Sequence, residues 1–151
     1  MTLAGAAAGC SKPLALAIGV FDGVHLGQDD FPLSEAKKLA PEMLFGISTH
    51  NAGEIRTALA GNCGYLNIGP MFPTQTKSVA CGALGLETVE ELKKLVTCPF
   101  SVMGGIKEHH LSMLCAKGFR HIAMVTEITR AEDVTAKVKQ LRSIMKGSGN
   151  E

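Results

Sequence analysis

Tryptophan is absent from this chain and tyrosine occurs once in 151 residues. With so few aromatic rings, a surface for stacking nucleic-acid bases is not expected. An excess of either charge is missing too, since 15 Lys and Arg face 14 Asp and Glu. A net charge near +1 sets up no field that gathers nucleic acid or holds a membrane surface. No apolar run approaches the roughly 20 residues needed to span a bilayer. The opening Met-Thr-Leu-Ala-Gly-Ala-Ala-Ala-Gly has no basic residue before Lys12, unlike a secretory or transit peptide. The cysteines (Cys10, Cys63, Cys81, Cys98 and Cys115) are odd in number and lack any CxxC pair. Zinc is therefore not expected, and reduced thiols in a cytoplasmic protein are. No GxGxxG joins a first strand to a helix, which lowers a dinucleotide-binding reading.

What is present is a rhythm of short apolar runs and amphipathic stretches. The predicted strands are residues 24–26, 44–49, 65–69, 100–103 and 121–125. Helices are predicted over residues 33–39, 52–60, 88–95, 108–116 and 131–145, and residues 13–19 read as a helix that stops at Gly19. Asn51 is the expected cap of the second of these, with Glu54 completing a capping box. Strands alternating with helices imply a parallel sheet covered by helices. A β/α barrel and a flavodoxin-like open sheet share this rhythm, but the polar motifs cluster just after the strands, where a barrel builds its site.

Those motifs carry the chemistry. Gly69-Pro-Met-Phe-Pro-Thr-Gln-Thr-Lys77 follows an apolar strand and gathers the hydroxyls of Thr74 and Thr76 with the ammonium of Lys77. Hydroxyls and a cation on a proline-fixed loop can surround phosphate oxygens. The bland alternative is a polar surface excursion. Gly23-Val-His-Leu-Gly-Gln-Asp-Asp30 places Asp29 and Asp30 at a strand end, where carboxylates hold Mg²⁺ or merely favour a helix start. Gln28 either donates to a phosphate or caps the loop. Gly104-Gly105 brings bare N–H groups near an anion, or is a plain turn. Val125 and Thr126 open a short turn with free N–H donors, or Thr126 is an ordinary cap. Ser48, Thr49 and His50 lack the oriented carboxylate of a covalent triad, so Ser48 is read as a donor to a leaving diphosphate. His25 is expected to be packed and hydrogen-bonded. His50, His109 and His110 are expected at surfaces or caps. Met43, Met71, Met103 and Met124 read as core or pocket-wall filler.

In order and spacing, the Gly23–Asp30 motif, Gly46-Ile-Ser-Thr-His50, the Gly69–Lys77 motif and Gly104-Gly-Ile106 resemble the thiamine-phosphate synthase family. The resemblance covers about residues 13–145. It implies an α/β fold of the TIM-barrel (β/α)8 family and the joining of a pyrimidine diphosphate to a thiazole phosphate. It implies departure of diphosphate by a dissociative displacement assisted by Mg²⁺, without covalent catalysis. By motif, Asp30 resembles the metal ligand, and Ser48 and Lys77 resemble contacts to the pyrimidine diphosphate. Thr74, Thr76, Gly105, Val125 and Thr126 resemble the cradle of the thiazole phosphate.

A complete barrel has eight strands, whereas five are predicted here, corresponding to the last five β/α units. The expected organisation is an extension over residues 1–12, a partial barrel over 13–146 and a frayed tail over 147–151. Relative to the family, the early Gln-x-x-x-Lys contact to the diphosphate and the Asn-Asp pair with the second metal aspartate have no counterpart. The expectation is an abbreviated product with two raw sheet edges, which self-association or a partner chain would cover. A non-catalytic remnant that binds a phosphorylated ligand, a sugar-phosphate isomerase or epimerase, and a thiazole tautomerase remain as alternatives.

Overall fold

The computed structural model describes residues 3–4, 22–74 and 82–147. The predicted helix end at residues 13–19, Thr76 and Lys77, and the tail beyond residue 147 lie outside the described residues. The chain divides into two compact units, residues 1–68 with 90–100, and residues 69–89 with 101–151.

In the first unit, β1 (Leu3–Ala4), β2 (Gly23–Leu26), β3 (Leu44–Thr49) and β4 (Tyr65–Ile68) pair in parallel, each with the next in sequence. Helices α1 (Leu33–Leu39) and α2 (Ala52–Ala60) lie between the strands in sequence. Alternation along the strands separates two faces. Val24, Leu26, Phe45, Ile47, Leu66 and Ile68 are buried hydrophobes, joined in the core by Ala36, Ile55 and Ala58 from the helices. The other face carries His25, Ser48, Tyr65 and Asn67. Asn51 caps α2 as expected, its Oδ1 accepting from the Glu54 N–H at 3.0 Å. The Glu54 carboxylate takes Asn51 Nδ2 at 2.6 Å and the backbone N–H of His50 at 2.7 Å. At the other end, Lys37 Nζ donates to the carbonyls of Gly61 and Asn62 at 2.9 and 2.6 Å, a cation closing a helix C-terminus.

The second unit holds most of β5 (Phe100–Met103) and β6 (Ile122–Ala123), paired in parallel with Val102 opposite Ile122. It also contains the start of α3 (Leu86–Lys93), a 3₁₀ turn at Glu108–His110, and α4 (Leu111–Ala116), α5 (Thr126–Thr129) and α6 (Val134–Gly147). Its core is Met71, Val89, Val102, Ile106, Leu111, Leu114, Phe119 and Leu141.

Two expectations need correction. A sixth strand, β1, appears among the described residues within the segment expected to be an extension. Two residues are too few to show any alternation in sequence. The last helix starts at Val134, later than expected, because Asp133 Oδ1 accepts from the Ala136 N–H at 2.9 Å and acts as a cap.

Candidate functional site

Each unit carries one group of the sequence-predicted residues. In the first, the register sets His25 on β2 opposite Gly46 on β3, and Gly46 opposite Tyr65 on β4. Ser48 lies two residues beyond Gly46 on the same face, opposite Asn67. His25 Nε2 is 2.8 Å from Ser48 Oγ, and His25 Nδ1 is 2.9 Å from the Tyr65 hydroxyl. His25 is thus hydrogen-bonded, as expected, and one of its partners is the candidate residue Ser48. Burial pushes the Tyr65 phenol above its ordinary range, so the hydroxyl keeps its proton.

The loop after β2 brings Asp30 back on itself. Its Oδ2 accepts from the Gly27 N–H at 2.6 Å, a short charge-assisted bond that orients the carboxylate. Gln28 Nε2 donates to the Ser48 carbonyl at 2.6 Å, tying this loop to the end of β3. Asp29 is exposed. Asp30 and Glu54 also line a cavity of about 340 Å³ bounded by Leu26, Ile47, Leu33 and Ala58. His50 Nδ1 meets Glu54 Oε2 at 2.8 Å, so His50 serves the helix start as expected.

The Asp30 carboxylate is a hard oxygen donor of the kind Mg²⁺ accepts. Among the described residues no group of three or more His, Cys, Asp or Glu could hold a metal by itself. A single oriented carboxylate nevertheless suits an ion that completes its shell with substrate phosphate and water. The cysteines are placed for other ends. Cys63 is buried, and desolvation, reinforced by neighbouring Cys98, pushes its thiol up to about 11. It is thereby held in the protonated form, a poor nucleophile and a poor metal ligand.

In the second unit, the loop that begins the Thr74 motif lies against the end of β5. Gly69–Pro70 is a cis peptide bond. The N–H of Met71 donates to the Met103 carbonyl at 2.8 Å, and that of Phe72 to the Gly104 carbonyl at 3.0 Å. This approach requires bare glycine. Gly105 has φ +65°, and a Cβ there would lie 2.5 Å from the Pro73 carbonyl oxygen and 2.6 Å from that of Phe72. The half-buried Thr74 follows directly, and Thr76 and Lys77 lie outside the described residues.

Val125 is half-exposed beside Thr126 at the start of α5. A cation the motif reading missed reaches this point, as Lys107 Nζ donates to Thr126 Oγ1 at 3.0 Å. The same ammonium is 3.5 Å from Glu127 Oε2, while Lys137 Nζ is 2.9 Å from Glu127 Oε1 and 2.5 Å from Glu108 Oε2. The Lys137 hydrogen bond, with the fields of both lysines, holds the Glu127 carboxyl below its ordinary range. His110 stacks on Phe72 with ring centroids 4.0 Å apart, and its Nδ1 accepts from the Lys107 N–H at 3.0 Å. Burial, then His109, lowers its pKa. The signal for Lys107 was its place just past Gly104-Gly105, where a cation can serve the same anion as the glycine N–H groups.

The profile of the thiamine monophosphate synthase family matches residues 12–128. The chain belongs to the thiamine monophosphate synthase family. Thiamine-phosphate synthase of Pelotomaculum thermopropionicum is 44% identical over 125 residues, 82% of this chain and 57% of that protein. The enzyme of the same name from Chloroflexus aurantiacus is 37% identical over 132 residues, covering 87% and 61% of the two chains. Among solved structures, thiamine phosphate pyrophosphorylase from Pyrococcus furiosus superposes with a TM-score of 0.79 at 30% identity, over 91% of this chain and 65% of that one. The α/β class and the TIM-barrel-like family fold expected from the sequence are those found. A likeness to 3-hexulose-6-phosphate synthase (TM-score 0.64, 18% identity) concerns the fold alone. This member of the thiamine monophosphate synthase family spans about 57% to 61% of the length of the curated relatives named here.

Proposed function

We propose that this chain carries thiamine-phosphate synthase chemistry. The reaction joins the pyrimidine methylene of a pyrimidine diphosphate to the ring nitrogen of a thiazole phosphate and releases diphosphate. The observation that carries the reading is the Ser48 hydroxyl, held by His25 at 2.8 Å, in the unit that also holds the oriented Asp30 carboxylate. A neutral hydroxyl donor and a metal-binding carboxylate suit a departing diphosphate, and neither forms a covalent bond to carbon.

Asp30 would hold Mg²⁺, which when bound neutralises negative charge on the diphosphate. Ser48 donates to a diphosphate oxygen, and Lys77 adds a cation to the same group. Charge on the leaving group is stabilised more as the carbon–oxygen bond lengthens, so these contacts favour the transition state over bound substrate. Thr74, Thr76, Gly105, Val125 and Thr126 bind the thiazole phosphate through hydroxyls and backbone N–H groups. That contact holds the thiazole nitrogen ready to capture the pyrimidine carbocation before water does. The reaction is assigned to the cytoplasm. Any open sheet edge is assigned to self-association or to a partner chain.

The test is to incubate the folded chain with both phosphorylated substrates and Mg²⁺ and to follow thiamine phosphate by mass spectrometry. Product is expected, with turnover reduced about a hundredfold in Ser48→Ala, the scale of losing one preorganised donor. Asp30→Ala should abolish the response to Mg²⁺. Binding of thiazole phosphate without turnover would overturn the synthase reading in favour of a binding protein. Turnover of a sugar phosphate would overturn it in favour of an isomerase.

A further inference from the structure

The register row His25–Gly46–Tyr65 holds an arrangement that the proposed reaction does not by itself require. Tyr65 and His25 sit on strands that are not neighbours, with β3 between them. Their rings meet because the middle position of the row is glycine. A Cβ on Gly46 would lie 2.0 Å from Tyr65 Cζ and 2.4 Å from its hydroxyl oxygen. The Tyr65 ring therefore lies across β3, over Gly46, with its centroid 5.5 Å from that of His25.

Two proton arrangements fit this chain of contacts. Among the described residues the Tyr65 hydroxyl has one hydrogen-bond partner, His25 Nδ1. The phenol can place its proton there, so that Nδ1 accepts; the other arrangement has a protonated Nδ1 donate to the phenol oxygen and turns the phenol hydrogen away from the ring. In the first arrangement a neutral His25 carries its hydrogen on Nε2 and donates it to Ser48 Oγ, 2.8 Å away. Ser48 Oγ has no other hydrogen-bond partner among the described residues. With one lone pair occupied by His25, its hydroxyl hydrogen is directed to whatever acceptor enters the site.

We propose that Tyr65 is a positioning residue: lying across Gly46, it fixes the Nε2–H tautomer of His25 and so commits the Ser48 hydroxyl to donate to the substrate diphosphate. The identity of that acceptor rests on the synthase reading above. The opposite tautomer would let Nε2 accept the Ser48 hydrogen, turning the serine away from an anion and towards the role of a nucleophile. The tyrosine thus decides which of two chemistries the His–Ser pair performs.

The tautomer is read in the wild-type chain by long-range ¹⁵N–¹H correlation of ¹⁵N-histidine-labelled protein at pH 8. The His25 ring is assigned by its loss in His25→Gln. A neutral ring protonated on Nε2 is expected, with the population shifting towards Nδ1–H in Tyr65→Phe. A wild-type ring protonated on Nδ1, or on both nitrogens, overturns the proposal, and this holds even if Tyr65→Phe fails to fold. The second readout is calorimetric binding of inorganic diphosphate with Mg²⁺. Tyr65→Phe should weaken it about three- to tenfold, the range of one lost hydrogen bond, while thiazole phosphate affinity stays unchanged. Equal diphosphate affinity in Tyr65→Phe and wild type overturns the positioning role. Absence of thiamine phosphate alongside an Nε2–H ring and weakened diphosphate binding would remove the synthase reading and keep the positioning role. Turnover with an Nδ1–H ring would do the reverse.

Discussion

The two units handle polar groups in opposite ways. The first lays a row without carboxylates or ammonium groups, His25, Ser48, Tyr65 and Asn67, along one face of parallel strands. Strand register decides which side chains meet, and a missing Cβ at Gly46 decides which can cross. The second works with backbone and charge. Glycines with positive φ let two loops share hydrogen bonds, and a run of Lys107, Glu127, Lys137 and Glu108 holds the surrounding turns. Neutral donors on a rigid sheet keep their direction, which suits a group that must be aimed. Backbone N–H groups on a tight loop offer several donors at once without side-chain entropy, which suits wrapping a phosphate.

The strongest way to break this contrast is Gly105→Ala. The new Cβ would meet two carbonyl oxygens of fixed backbone and would sit at a φ disfavoured for alanine. A loss of about 3 kcal/mol or more is expected, read as a lowered urea midpoint. Gly46→Ala comes next, at about 1–3 kcal/mol. Here the obstacle is a side chain, so Tyr65→Ala in the same molecule should restore most of the loss. A double-mutant cycle with strong coupling confirms that the clash is between these two residues, whereas additive effects would refute it.

Lys107→Met removes the bond to Thr126 and one partner of Glu127, for about 1 kcal/mol and weaker binding of thiazole phosphate. Unchanged affinity would show that Thr126 needs no support from this cation. The smallest effect belongs to Glu127. Because its folded pKa is lowered, its stabilisation is present above the ordinary carboxylate pKa and is lost as pH falls through the folded value. Screening keeps this below about 1 kcal/mol, and it should shrink further in high salt. Glu127→Gln should remove that acid dependence without altering the first unit's His25 tautomer.

Much of the fold was legible because strong local signals coincide with the tertiary outcome. Asn51 with Glu54 announced the start of α2, and the helix begins there. Strands β2 to β5 carry apolar runs bounded by glycine or polar residues, and all were located to within a residue or two. β1 escaped notice because two residues have no period, and the start of α6 was misplaced because Asp133, rather than the apolar pattern, sets it. Of the candidate site, the sequence pointed to Asp30 and Ser48 at strand ends and to the glycines of the second unit. It did not reveal that Tyr65 reaches His25, since residues 40 positions apart become neighbours only through pairing with a third strand.

By itself, then, the sequence determined the alternation of strand and helix, the family, and the types of chemical group available: hydroxyls, a carboxylate, and glycines after strands. These are local properties, carried by residue type and short spacing. Which groups touch was decided only by the tertiary structure. The register that sets Gly46 between His25 and Tyr65, and the folding that brings Lys107 to Thr126 and Lys137 to Glu127, depend on contacts between distant segments. Hydrogen bonds and ion pairs act over a few ångströms, so the direction of a proton on Ser48 is settled by neighbours that the linear order keeps far apart.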